Sequence, residues 1–164
     1  MNRRTILVAG LAAVLPLRRT HAEARPFRRG SWQQLRAEHQ GRPAIVHFWG
    51  LTCAPCLVEL PKWGAFRRDH PDADLVLVAA DPIPQQTDAL SEMLAKAGLQ
   101  GVESWWFQDR FTERLFWEVD RSWQGELPYT VLLAADGSAT GEAGEIGDFG
   151  RLDRWLQDPV ARRT

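Results

Sequence analysis

Short, almost unbroken apolar runs alternate along this chain with longer stretches in which apolar residues recur every three or four positions. Runs of the first kind suit strands covered on both faces, and stretches of the second kind suit helices with one buried face. "PAIVHFW" (43–49) and "ADLVLVAAD" (73–81) predict two buried strands, and "ESWWFQD" (103–109) a third that sends Trp105 and Trp106 to opposite faces. "PYTVLLA" (128–134) predicts a fourth, turned back at Asp136-Gly137 into an antiparallel partner over 141–146. Helical spacing fills the gaps. Ser31 caps "WQQLRAEHQ", with Trp32 and Leu35 inward and Gly41 ending it. A helix over 53–69 buries Leu57, Leu60, Trp63, Gly64 and Phe66, and Pro61 should bend it. Further helices are expected over 87–97, stopped by Gly98, over 110–119, and from Asp148 to a stop at Pro159. "RPFRRG" (25–30) reads as a lead-in without structure of its own. A layered α/β domain follows. Pro128 is out of place at the start of a central strand, which needs its N–H groups, and a cis Leu127–Pro128 bond at the sheet edge would resolve this.

Composition changes the picture mainly at the N-terminus. The 164 residues suit one domain with a sizeable core. Residues 1–24 read as an export signal: Arg3-Arg4, an apolar run over 5–17, and a small-x-small site at Ala22-Glu23-Ala24. "NRRTIL" resembles a twin-arginine signal. The apolar run is short for a bilayer and is interrupted by Pro16, so an uncleaved anchor is the lesser reading. Residues 25–164 would then form a single domain with 16 basic and 20 acidic side chains, a net charge near −4. No basic tract suits nucleic acid, and a soluble periplasmic or otherwise extracytoplasmic location is expected.

The two cysteines, Cys53 and Cys56 in "HFWGLTCAPCLVELP", carry the candidate chemistry. A disulfide closing so short a loop staples little, since stabilisation grows with loop length. A metal clip is the second reading; two thiolates suit Cu(I), whereas zinc normally takes four ligands and no second CxxC or HxxxH exists. The third reading is a reactive dithiol.

At these residues the chain resembles the thioredoxin superfamily, more narrowly the exported TlpA/ResA-like disulfide oxidoreductases, over about 31–156. "IVHFWGLTCAPC" resembles the family's strand and WxxxCxPC entry, "CLVELP" places Glu59 and Pro61 as in ResA-like members, and "GELPYTVLLAADG" resembles the cis-proline segment. The resemblance implies a thioredoxin fold (a mixed sheet flanked by helices) with a TlpA-type extra βα insertion over 87–107. Two residues depart from the pattern: Leu127 stands where Val or Ile is commoner, and His47 where thioredoxins have a buried Asp and many ResA-like proteins an Asn.

With Cys53 at a helix start, its sulfur faces unpaired N–H groups and the positive helix pole, which favours the nucleophilic thiolate. Cys56, one turn inside, would resolve the mixed disulfide, and Pro55 helps fix the turn. Glu59 follows Cys56 by three residues, on the same helix face, and would exchange a proton with it; the bland alternative is a solvated glutamate. His47 is either a packed core histidine or a base near Cys56. Leu127 and Pro128 would offer an extended partner a strand-like edge, and Trp49 and Trp123 either line the contact surface or, as is commoner for such residues, pack. The resemblance implies reduction of protein disulfides, with apocytochrome c or a copper-site protein as partner, a membrane thiol donor of CcdA/DsbD type, and no cofactor beyond the Cys53–Cys56 pair. A thiol oxidase or isomerase, and a non-enzymatic Cu(I) carrier using the same CxxC, stay open.

Overall fold

A computed structural model describes residues 24–81 and 87–162. The elements follow the order β1 (Arg25–Phe27), α1 (Ser31–Glu38), β2 (Ala44–Trp49), α2 (Ala54–Asp69), β3 (Asp74–Ala79), α3 (Thr87–Lys96), β4 (Glu103–Phe107), α4 (Thr112–Val119), β5 (Tyr129–Leu133), β6 (Ala139–Ala143) and α5 (Gly150–Gln157). One mixed sheet holds all six strands in the order β1-β4-β3-β2-β5-β6. β1, β4, β3 and β2 run parallel, while β5 is antiparallel to β2 and to β6.

Alternation along β2 divides the core. Ala44, Val46 and Phe48 face a layer with Trp32 and Leu35 of α1 and Leu115 of α4. Ile45 and Trp49 face the other layer, with Leu60, Trp63 and Phe66 of α2, Leu90 and Leu94 of α3, and Leu152 of α5. Covered on both sides, all six β2 residues are buried, as a continuous apolar run requires. His47 points into the α2 layer because it shares the side of Ile45 and Trp49. Trp105 and Trp106 split between the two layers as expected.

Several local expectations are corrected. The lead-in forms β1, paired residue for residue with β4. Gly30 at φ +83° is the N-cap of α1; Ser31 is its first residue and its Oγ accepts from the Arg28 N–H (2.9 Å). α1 closes at Glu38, short of Gly41. β6 begins at Ala139 rather than 141, because Ala134 N–H already donates to Ser138 O across the tight turn (2.8 Å). α5 starts at Gly150, with Asp148 Oδ1 accepting from its N–H (2.9 Å).

At the end of the sheet remote from the cysteines, buried His39 lies 3.2 Å from Asp74 Oδ2 and 3.3 Å from Glu103 Oε2. The ion-pair contact with Glu103 and the bond to Asp74 outweigh burial and raise the His39 pKa. A raised folded value stabilises below the unfolded pKa of about 6.5 and is lost as pH climbs through the folded one. His39→Gln is therefore expected to cost about 1 kcal/mol below pH 6.5 and less above it. Urea unfolding at a series of pH values checks this; a pH-independent cost would contradict it.

Candidate active site

α2 begins where the sequence supplies a cap. Cys53, in extended backbone (φ −93°, ψ 97°), is the N-cap, and its Sγ accepts from the Cys56 N–H at 3.3 Å. Pro55 stands in the first turn, where a missing N–H costs nothing. The helix continues through Pro61. Cys53 and Cys56 are joined as a disulfide, Cys53 half-buried and Cys56 wholly buried. One sulfur is thus open to a partner at the positive end of a helix, and the other waits behind it.

Glu59 is as buried as the core. Its Oε1 accepts from the Ile146 N–H and its Oε2 from the Trp63 indole N–H (3.2 Å). Burial raises its pKa more than these two bonds lower it. The solvated-glutamate reading does not hold. His47 stands beside it, with Nε2 3.5 Å from Glu59 Oε2 and Nδ1 3.0 Å from Thr130 Oγ1, its ring tilted against Trp63. The Nε2 contact is an ion-pair separation rather than a formed hydrogen bond, and Nε2 has no bonded partner among the described residues. Burial lowers the His47 pKa to about 3. Burial thus disfavours the form of this pair that carries two separated charges.

A depressed histidine value has the opposite linkage to that of His39. Below pH 6.5 the unfolded chain protonates at His47, whereas the native state resists until about pH 3. Stability is therefore lost as pH falls through this window. His47→Asn is expected to flatten the acid limb of the urea-midpoint curve, and an unchanged limb would contradict the assignment.

The Leu127–Pro128 peptide is cis. Leu127 is partly buried against the apolar cluster that also packs on Cys53, and Pro128 O accepts from the Gly144 N–H (2.8 Å). Among the described residues, neither the N–H nor the C=O of Leu127 has a backbone partner. Trp49 and Trp123 pack: they are 1% and 3% exposed, Trp123 stacking on Tyr129, and neither lines a contact surface. The sequence reading missed Asp81. Its carboxylate accepts from the Leu51 N–H, from the Thr52 N–H (3.3 Å) and from the Thr52 hydroxyl (2.8 Å), immediately before Cys53. An acidic residue ending a strand beside the CxxC loop was the available signal. Among the described residues no group of three or more His, Cys, Asp or Glu could hold a metal ion.

A mixed sheet with helices on both faces, a cis-proline, and a CxxC pair at the mouth of a helix define the class: this chain has the thioredoxin fold, with α3–β4 as its extra unit. No protein-family model matches it. It is similar to the sporulation thiol-disulfide oxidoreductase A of Bacillus subtilis, 33% identical over 60 residues, and the match spans 36% of either chain. Among solved structures it is similar to a secreted Mycobacterium tuberculosis disulfide oxidoreductase homologous to E. coli DsbE (22% identity, 74% of this chain and 84% of that one, TM-score 0.54). It is also similar to StoA from Bacillus subtilis (24%, 71% and 83%, TM-score 0.55). No helix among the described residues is long and apolar enough to cross a membrane.

Proposed function

We propose that residues 25–164 form an exported thioredoxin-like domain, delivered by a signal over 1–24, whose Cys53–Cys56 pair reduces disulfides in protein partners. The signal lies outside the described residues except for Ala24. One observation carries the reading: half-buried Cys53 caps α2 with a sulfur that accepts an N–H, while Cys56 is wholly buried one turn inside. In the dithiol form the Cys53 thiolate attacks a partner's disulfide, and the partner's second sulfur leaves as thiolate. Cys56 gives its proton to the Glu59 carboxylate, beside which His47 stays neutral, and attacks Cys53 Sγ. The partner departs as a dithiol carrying two electrons, and the Cys53–Cys56 disulfide re-forms. An external dithiol, of the membrane-carrier CcdA/DsbD type that the resemblance implies, restores the two electrons. The unpaired edge at Leu127 suits an extended segment of a protein such as apocytochrome c or a copper-site protein. The pair itself is the redox group and needs no added cofactor.

A Cu(I) carrier would rely on the two sulfurs alone, since His47 is engaged by Thr130 and lies against Glu59. Cys56→Ser tests the proposal: in cells it should accumulate partners attached through Cys53, released by reductant. Loss of bound copper in place of such adducts would defeat it, and a potential above that of the compartment would turn the reading to an oxidase.

A further inference from the structure

Asp81 is a buried carboxylate that the exchange mechanism leaves unused. It stands past the end of β3, where Ala80 N–H still pairs with Trp49 O (2.8 Å), and is 8% exposed. Three neutral donors converge on it: the N–H groups of Leu51 and Thr52 and the Thr52 hydroxyl. Gly50 makes the approach possible, since a Cβ there would lie 2.7 and 2.9 Å from the two carboxylate oxygens. Among the described residues no Lys, Arg or His lies within ion-pair distance of Asp81. A buried charge satisfied by dipoles alone is costly to maintain, and a turn of this kind can be held by an amide or a hydroxyl. The charge therefore calls for an explanation beyond tying the loop.

Its place supplies one. The turn Gly50–Thr52 runs directly into Cys53, whose N–H donates to Gly50 O (3.3 Å). The two N–H groups just ahead of the nucleophile are spent on Asp81 rather than left to face sulfur. Cys53 Sγ keeps the Cys56 N–H, on the helix side. A negative charge bonded to the residue next to Cys53 opposes a second negative charge on its sulfur. Reduction of the disulfide takes two electrons and two protons, and this charge acts on whether the Cys53 proton stays on sulfur. A less stable thiolate makes the dithiol form less favourable and the pair a stronger electron donor.

We propose that Asp81 is a positioning residue that holds the turn entering Cys53 and, through its charge, biases the Cys53–Cys56 pair toward giving electrons rather than taking them. This rests on the dithiol–disulfide reading and supplies the direction that the CxxC spacing does not. The other titratable groups on the elements beside the pair are Glu59 on α2 and His47 on β2, which lie against each other.

The experiment is Asp81→Asn in the full chain, reading iodoacetamide alkylation of Cys53 against pH and the equilibrium with a glutathione redox buffer. The alkylation midpoint is expected to fall by about half to one pH unit. The redox equilibrium should move toward the dithiol by up to about tenfold, or about 30 mV. A lower melting temperature with unmoved midpoint and equilibrium would overturn the proposal, leaving Asp81 a plain turn clamp. Should the variant not fold, the wild-type reduced protein answers instead: the Asp81 carboxyl ¹³C shift should inflect at the Cys53 titration, and Cys53→Ser should abolish that inflection. A shift that does not respond overturns the proposal equally. Failure of the underlying reading is separate, because wild-type Cys53 would then alkylate no faster than cysteine in a free peptide.

Discussion

Glu59→Gln is expected to slow release of the partner from the mixed disulfide by on the order of a hundredfold, the usual scale for losing a positioned proton acceptor. The substitution keeps the shape of the side chain. It leaves one oxygen where two now accept, from the Ile146 N–H and the Trp63 indole, so one buried donor must face an NH₂ group. That mismatch costs about 1–3 kcal/mol of stability. The kinetic effect is distinguishable from it. The Cys56 thiolate, followed by absorbance near 240 nm, should titrate about one pH unit lower without the neighbouring carboxylate. Attack by Cys53 on a model disulfide should be nearly unchanged, because Cys53 has its own N–H donor in Cys56. A slow first step with a normal second step would remove Glu59 from the mechanism.

Gly64→Ala should be the most damaging single change to the fold. In an open helix it would gain up to about 1 kcal/mol of propensity. Here a Cβ would overlap the backbone carbonyl of Ala97, just past the end of α3. Backbone cannot rotate aside as a side-chain tip can, so α3 must shift off α2 and open a layer that holds Leu90, Leu94 and Leu99. Overpacking of this kind costs about 3 kcal/mol, which outweighs the propensity gain and lowers the melting temperature by about 10 °C. Gly147→Ala, with nothing near its added Cβ, is the control and should change the midpoint by less than about 0.5 kcal/mol. Equal melting temperatures for the two variants would show that the α2–α3 contact is not tight.

Particular elements show what the sequence could disclose. β2 was legible because six consecutive buried residues leave no other pattern, and α2 because Cys53, Pro55 and the spacing of Leu60, Trp63 and Phe66 agree. The three residues of β1 carry no period; they become a strand only because β4 is there to pair with them. The register of β6 was obscure because "SATGEAGE" has no apolar alternation to set it. At the site, the three-residue step from Cys56 gave the face of Glu59 but not its depth. Its partners are Ile146, 87 residues further along the chain, and His47 on another element, so only the folded layers reveal the pair. Asp81 was hidden in the same way, 30 residues from Leu51. Trp49 and Trp123 left two readings open, since an indole beside a reactive site serves equally well as packing, and their burial decides for packing.

The bond from the Ile146 amide to Glu59 gives this molecule a gauge of its own chemistry. Any proton that arrives at or departs from that carboxyl alters the pull on a hydrogen belonging to the connection between β6 and α5. On the proposed mechanism, that single amide resonance reports the state of the carboxyl during turnover.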